Sequence, residues 1–137
     1  MVSAATFPHL ASHAVKGVPV FPVALALEMF ARIATSARRD LRLTAITQVK
    51  VLKGIRIENF EGRGARLELV CDPSSSAPNG RLICEIRTPG GAAHYRATIE
   101  MAPPAASRPA AREVEAPGTG TPWSQADVYA SVLFHGP

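Results

Sequence analysis

Cysteine, aromatic side chains and long apolar runs are all scarce in this chain. Two cysteines among 137 residues cannot staple a fold of this size, and they lack metal-ligand spacing. A disulfide scaffold and a zinc module are therefore excluded, and no metal site is expected. Cys71 and Cys84 fall on apolar strand faces in a register that does not set them opposite one another, so reduced core thiols are expected. Aromatics make up 6% of the chain and are not interleaved with basic residues, which argues against a nucleic-acid partner. No apolar run reaches the ~18 residues of a membrane span, because Glu28 and Arg32 interrupt the best candidate. Met1–Ala14 carries no basic, apolar leader. The expectation is a cytoplasmic protein with no membrane partner.

What is present suits one globular unit. Apolar residues are 47% and charged residues 19%, enough for a real core in a single domain. The net charge is +4, and its densest cluster is Arg38, Arg39 and Arg42. That cluster reads as a solvated helix end, where Arg38 and Arg39 complement the dipole. The helix itself is predicted over Pro22–Arg39. Pro22 fits a first-turn position, and Glu28 and Arg32 form an i, i+4 pair. Val23, Leu25, Leu27, Met29, Phe30 and Ile33 surround most of the cylinder, so the helix should be buried on most sides.

Strand patterns follow it. Gln48–Ile57 alternates except at Lys53, which predicts a bulge near Lys53-Gly54. Arg66–Cys71, Arg81–Arg87 and His94–Met101 alternate in the same way, and turns are expected at 61–64, 72–80 and 89–91. His94 falls on a polar face and needs only solvent. One apolar face per strand describes an antiparallel sheet covered on one side, and with the long helix it gives an α+β fold wrapped around a central helix. Residues 102–122 hold five of the twelve prolines and read as a linker. Ser124 is a candidate N-cap for a further helix carrying Val128 and Val132.

The chemistry-bearing stretch is His13-Ala14-Val15-Lys16-Gly17-Val18-Pro19-Val20-Phe21-Pro22, directly ahead of the buried helix. An imidazole beside free helix N–H groups can remove a proton α to a carbonyl whose oxygen those amides bind. Gly17 would let backbone approach a ligand closely. By these residues alone, an ordinary loop histidine is the simpler reading.

His-x-x-x-Gly-x-x-x-x-Pro before a central helix resembles the signature of the hot-dog-fold dehydratase domains of polyketide synthases and polyunsaturated fatty acid synthases. Phe7–His13 looks like that family's approach to its catalytic histidine, and Val20–Glu28 like the start of its hot-dog helix. Val51-Leu52-Lys53-Gly54-Ile55 resembles the following strand. Tyr129–Pro137, ending His-Gly-Pro, resembles the Tyr-Gly-Pro stretch that opens the family's second hot dog. The resemblance implies an N-terminal hot dog over 1–101, a linker over 102–122 and the start of a second hot dog over 123–137.

It further implies that His13 is the general base for dehydration of a β-hydroxyacyl thioester to a 2-enoyl thioester. Gly17 and amides near Pro22 would orient the thioester carbonyl. No cofactor would bind directly; the acyl group would arrive on the phosphopantetheine of an acyl carrier protein. The remaining partners would be a second hot-dog half or a homodimer mate and the other domains of a multidomain synthase. The acid aspartate would lie on the absent half, since Asp127 stands too early and Asp40 and Asp72 sit at a helix end and in a turn. The chain alone should then dehydrate weakly or not at all. Two departures are a short lead of twelve residues before His13, and Ser12 where many relatives carry Asp. Competing readings are a non-catalytic pseudo-dehydratase that scaffolds or binds a carrier, and a hot-dog thioesterase, for which Glu28 is poorly placed.

Overall fold

A two-stranded hairpin, β1 (Ala14–Val15) and β2 (Val18–Pro19), leads into helix α1 (Val23–Ala37) in the computed structural model, which describes residues 1–77, 80–104 and 124–127. Local chemistry sets the limits of α1. Pro22 stands one position earlier than expected, as the N-cap in an extended conformation, where its missing N–H costs nothing. Its carbonyl accepts the first bond, from the Ala26 amide at 3.2 Å. At the other end the Arg38 amide closes on the Ala34 carbonyl at 3.0 Å. The Arg38 guanidinium grips both carboxylate oxygens of Asp40, at 3.0 and 2.8 Å.

Burial on α1 is narrower than its composition implies. Ala26, Phe30 and Ala34 are 0% exposed and repeat every four residues, while Val23 is 40% exposed. Leu25, Met29 and Ile33 pack beside that stripe. The expectation of a helix buried on most sides is corrected, because one sheet covers one face.

That sheet has four strands: β3 (Arg42–Val51), β4 (Glu68–Ala77), β5 (Arg81–Arg87) and β6 (Ala93–Ala102). All pair antiparallel in the order β3-β6-β5-β4, and α1 packs against every one of them. The result is α+β: one helix on a four-stranded antiparallel sheet. β5 has its predicted ends, and β6 matches within one residue at each end. Leu82, Cys84 and Ile86, with Tyr95, Ala97, Ile99 and Met101, form the inward rows that alternation predicts.

Two strands differ from expectation. β3 starts at Arg42 rather than Gln48, and its register with β6 slips between Leu43 and Ala45 and again between Thr47 and Lys50. Gln48 has a φ of 49° at the second slip. Each slip swaps the faces of the residues beyond it, so the alternation that marks a strand fails there. The bulge expected near Lys53-Gly54 is therefore displaced; at that point the chain leaves the sheet, with the Leu52 and Lys53 amides both donating to the His94 carbonyl. β4 begins at Glu68 and runs on to Ala77, which places Asp72 on a strand instead of in a turn. Gly80 then turns into β5 with a φ of 69°, and a Cβ there would lie 2.2 Å from the Met101 carbonyl oxygen.

The expectation of reduced thiols is overturned, because Cys71 and Cys84 are joined by a disulfide across β4 and β5. Inward positions are odd on β4 and even on β5, so faces match when odd residues pair with even ones. The observed register does this, setting Leu69 against Ile86 and Cys71 against Cys84, with Cα atoms 4.2 Å apart in the latter pair. Such bonds are rare in reducing compartments, so the cysteines give no support to a cytoplasmic location. The sequence separation is 13, close to the ~15-residue loop whose closure is worth about 3 kcal/mol. Reduction should therefore lower the unfolding free energy by about 3 kcal/mol. Urea titrations with and without a phosphine reductant measure this, and coincident midpoints would refute it.

The chain divides into two units, Met1–Pro104 and Ala105–Pro137. In the second, Ser124 caps the short helix α2 (Gln125–Asp127): its hydroxyl accepts from the Asp127 amide at 3.2 Å, and its own amide donates to the Asp127 carboxylate at 3.1 Å. The expected linker beyond Pro104 and the expected helical residues Val128 and Val132 lie outside the described residues.

Candidate active site

The segment from His13 to Pro22 is a hairpin, not a loop. A 3-10 turn over Pro8–Ser12 delivers the chain to His13, whose amide donates to the Leu10 carbonyl at 3.0 Å. Ser12 donates its hydroxyl to the His9 carbonyl at 3.0 Å. β1 and β2 then pair Val15 with Val18 and Ala14 with Pro19. Only two residues, Lys16 and Gly17, connect them, with φ of 52° and 75°. Two successive positive φ values are the requirement of a type I′ turn, which explains glycine here. A Cβ on Gly17 would meet nothing within 4 Å, so backbone conformation and not close approach is the constraint.

The hairpin pairs His13 with Val20 rather than directly with Gly17 or Pro22. The Val20 amide donates to the His13 carbonyl at 3.0 Å, so the backbone of His13 stands beside a residue two positions ahead of Pro22. Gly17 occupies the tip, separated from His13 by the two residues of β1 and Lys16. It borders a cleft of about 290 Å³ lined also by Ala11, Val18, Pro19 and residues 57–61. His13 and Pro22 do not line that cleft. Its Glu58 and Glu61 carry no feature that marks them in sequence, and Glu58 takes a hydrogen bond from Arg56 at 3.1 Å.

Beyond the hairpin the chain is held against residues 55–57, through Ile57 N–H to the Pro19 carbonyl at 2.8 Å and Phe21 N–H to the Ile55 carbonyl at 2.9 Å. This pairing, with a bridge between Val20 and Arg56, buries Ile55 and Ile57 although they lie outside β3. At Pro22 the helix begins with no side-chain cap and no acidic residue in its first turn. Val23 and Ala24 are exposed, and the N–H groups at this end carry the positive pole of the helix. His13 is half-buried. The arrangement therefore places half-buried His13 opposite Val20, three positions ahead of the first helical residue, Val23.

Three other carboxylates considered from sequence are bonded to near neighbours in the chain. Glu28 is exposed and bonded to Arg32 at 2.7 Å. Hydrogen bonding from Arg38 holds the Asp40 carboxyl below the usual carboxylate range. Asp127 is engaged with Ser124. Among the described residues no group of three His, Cys, Asp or Glu side chains could hold a metal ion, and no helix is long and apolar enough to cross a membrane.

Two polar centres escaped the sequence reading. His94 is not simply solvated: its Nδ1 lies 3.2 Å from the Lys53 carbonyl and its Nε2 3.4 Å from the Thr88 hydroxyl, clasping the turn after β3. Glu85 points away from α1 yet is 7% exposed, flanked by Arg87 on its own strand and Arg96 on β6, each with Nε 2.6 Å from a carboxylate oxygen. Both signals depend on cross-strand register, which one sequence does not reveal. Burial pushes the Glu85 carboxyl up, but the hydrogen bonds and charges of Arg87 and Arg96 outweigh it and leave the carboxyl below its ordinary value. A carboxyl lowered by folding stabilises the protein above its unfolded pKa, about 4.3, and that stability is lost as pH falls through the folded value. Glu85→Gln should accordingly flatten the drop in melting temperature below about pH 4. An acid limb as steep as that of the parent protein would argue against it.

Comparison of the chain with protein-family models, curated proteins and solved structures found no match.

Proposed function

We propose that this chain is a hot-dog unit of a dehydratase that acts on β-hydroxyacyl thioesters carried by an acyl carrier protein. The observation that carries the reading is the hydrogen bond from Val20 N–H to the His13 carbonyl, which ties His13 to the segment leading into an uncapped helix. Together with His13, Gly17 and Pro22 at their spacing, it supports a base next to an oxyanion site. In the proposed step a ring nitrogen of His13 takes the α-proton of the thioester. The C–H electron pair becomes the α,β double bond as the β C–O bond breaks, and the hydroxyl leaves as water after protonation. First-turn amides of α1 stabilise negative charge gathering on the thioester oxygen. Gly17 shapes the hairpin turn and borders the adjoining cleft. The proton for the leaving hydroxyl comes from a second hot dog, because no aspartate among the described residues stands in the His13 hairpin.

Separating base from acid gives the test. The chain, incubated in D₂O with a 3-hydroxyacyl pantetheine thioester, should place deuterium at the α-carbon with little formation of 2-enoyl thioester. Exchange at the uncatalysed rate would favour a non-catalytic carrier-binding module, and release of free acid would favour a thioesterase.

A further inference from the structure

We infer that Tyr95 is a positioning residue, whose hydroxyl ties the His13 hairpin to the sheet and so fixes where His13 stands relative to the first turn of α1. The inference rests on the dehydratase reading. Three backbone bonds shape this region: Val20 to His13, Ile57 to Pro19 and Phe21 to Ile55. Their partners all lie outside the four-stranded sheet, so these bonds fasten one irregular segment to another. Tyr95 is different. It sits on β6, an interior strand, opposite Val51 of β3 and Ile86 of β5. Its hydroxyl donates to the Phe21 carbonyl at 2.7 Å, across 74 residues of sequence.

The packing around that bond makes it directional. Tyr95 is 2% exposed and Phe21 3% exposed, and their rings meet edge-on with centroids 5.6 Å apart. Phe21 thus has its amide held by Ile55, its carbonyl by Tyr95 and its ring by the Tyr95 ring, immediately before the Pro22 cap. Both neighbours are constrained: Pro22 has a ring-locked φ, and Val20 is bonded to His13. A shift of the Phe21 carbonyl therefore moves the helix start and the His13 strand relative to each other. The buried carbonyl has strong reason to move once its donor is lost, since an unsatisfied acceptor in the core is costly. Reacting groups misplaced by an ångström can cost up to a hundredfold in rate.

The test is α-deuterium exchange of a 3-hydroxyacyl pantetheine thioester by the full chain, compared among the parent, Tyr95→Phe and His13→Ala. Tyr95→Phe should lower the rate at saturating substrate about tenfold and leave KM within about twofold, because the contacts that bind substrate remain while the base is displaced. Replacing Tyr95 with 3-fluorotyrosine keeps both shape and donor. That variant should retain the parent rate at neutral pH and lose it at high pH earlier than the parent does, as its more acidic phenol ionises. This second measurement serves even where Tyr95→Phe fails to fold. An unchanged rate in Tyr95→Phe beside a dead His13→Ala would overturn the positioning role and leave the dehydratase reading standing. So would a loss that merely follows the unfolded fraction, or a 3-fluorotyrosine profile identical to the parent. Equal exchange by parent and His13→Ala would overturn the dehydratase reading, and the role of Tyr95 with it.

Discussion

His13→Ala should reduce α-deuterium exchange of a β-hydroxyacyl thioester by at least about a hundredfold, the lower end of what a positioned general base contributes. The expectation follows from geometry more than from residue type. Alanine leaves the His13 carbonyl free to accept from Val20 N–H, so the hairpin and the helix start should survive. The side chain removed is half-buried, at the junction of a 3-10 turn and β1. Exchange should be lost while circular dichroism shows the variant still folded. Imidazole added to the solution should restore part of the rate, since the missing group is a base and the amides that receive the charge remain. A variant that exchanges as fast as the parent would exclude His13 as the base. One that unfolds would assign His13 a structural role instead.

The largest effect on stability is expected at Phe30. Of the three α1 residues with no exposure, Ala26 and Ala34 are small, and Phe30 alone supplies bulk at the centre of the stripe. It stands on the one face by which α1 meets the sheet, inside the same core as Cys84, Ile86, Ala97 and Ile99. Phe30→Ala should cost about 3–5 kcal/mol, combining lost transfer energy with the cavity left behind. With the Cys71–Cys84 bond intact, unfolding can be followed by urea and tryptophan-independent circular dichroism. Val23→Ala is the control, since a side chain already 40% exposed should cost less than about 1 kcal/mol. Comparable losses at the two positions would mean that both faces of α1 are covered in solution.

The contrast between Phe30 and Val23 shows where pattern reading ends. Apolar residues on most sides of a helix report what the helix could bury, and the single sheet uses one side of it. His94 and Glu85 teach the same lesson for polar groups. Each lies on a polar strand face, but Lys53, Thr88 and Arg96 reach them from other elements, so their bonds are invisible along the chain. The candidate site divides similarly. Its residue types and the Pro22 start of α1 are legible because proline and histidine have local chemistry. That His13 returns beside Val20 depends on the type I′ turn at Lys16-Gly17, where lysine is an unusual partner for the glycine.

By itself the sequence determined the elements with uninterrupted periods: α1 to within two residues, β5 at both ends, β6 nearly so, and the α+β class that they imply. An assumed register predicted reduced thiols, and the observed pairing of Cys71 with Cys84 overturns it. Two cysteines cannot show whether they face each other, because that depends on which β4 residue lies opposite which on β5. Tertiary structure alone decided that pairing, the slips within β3, the uncovered side of α1 and the reach of Tyr95 to Phe21. The reason is common to all four. Periodicity is a property of neighbours in the chain, whereas register, coverage and long-range bonds are set by which surfaces meet when the chain has folded.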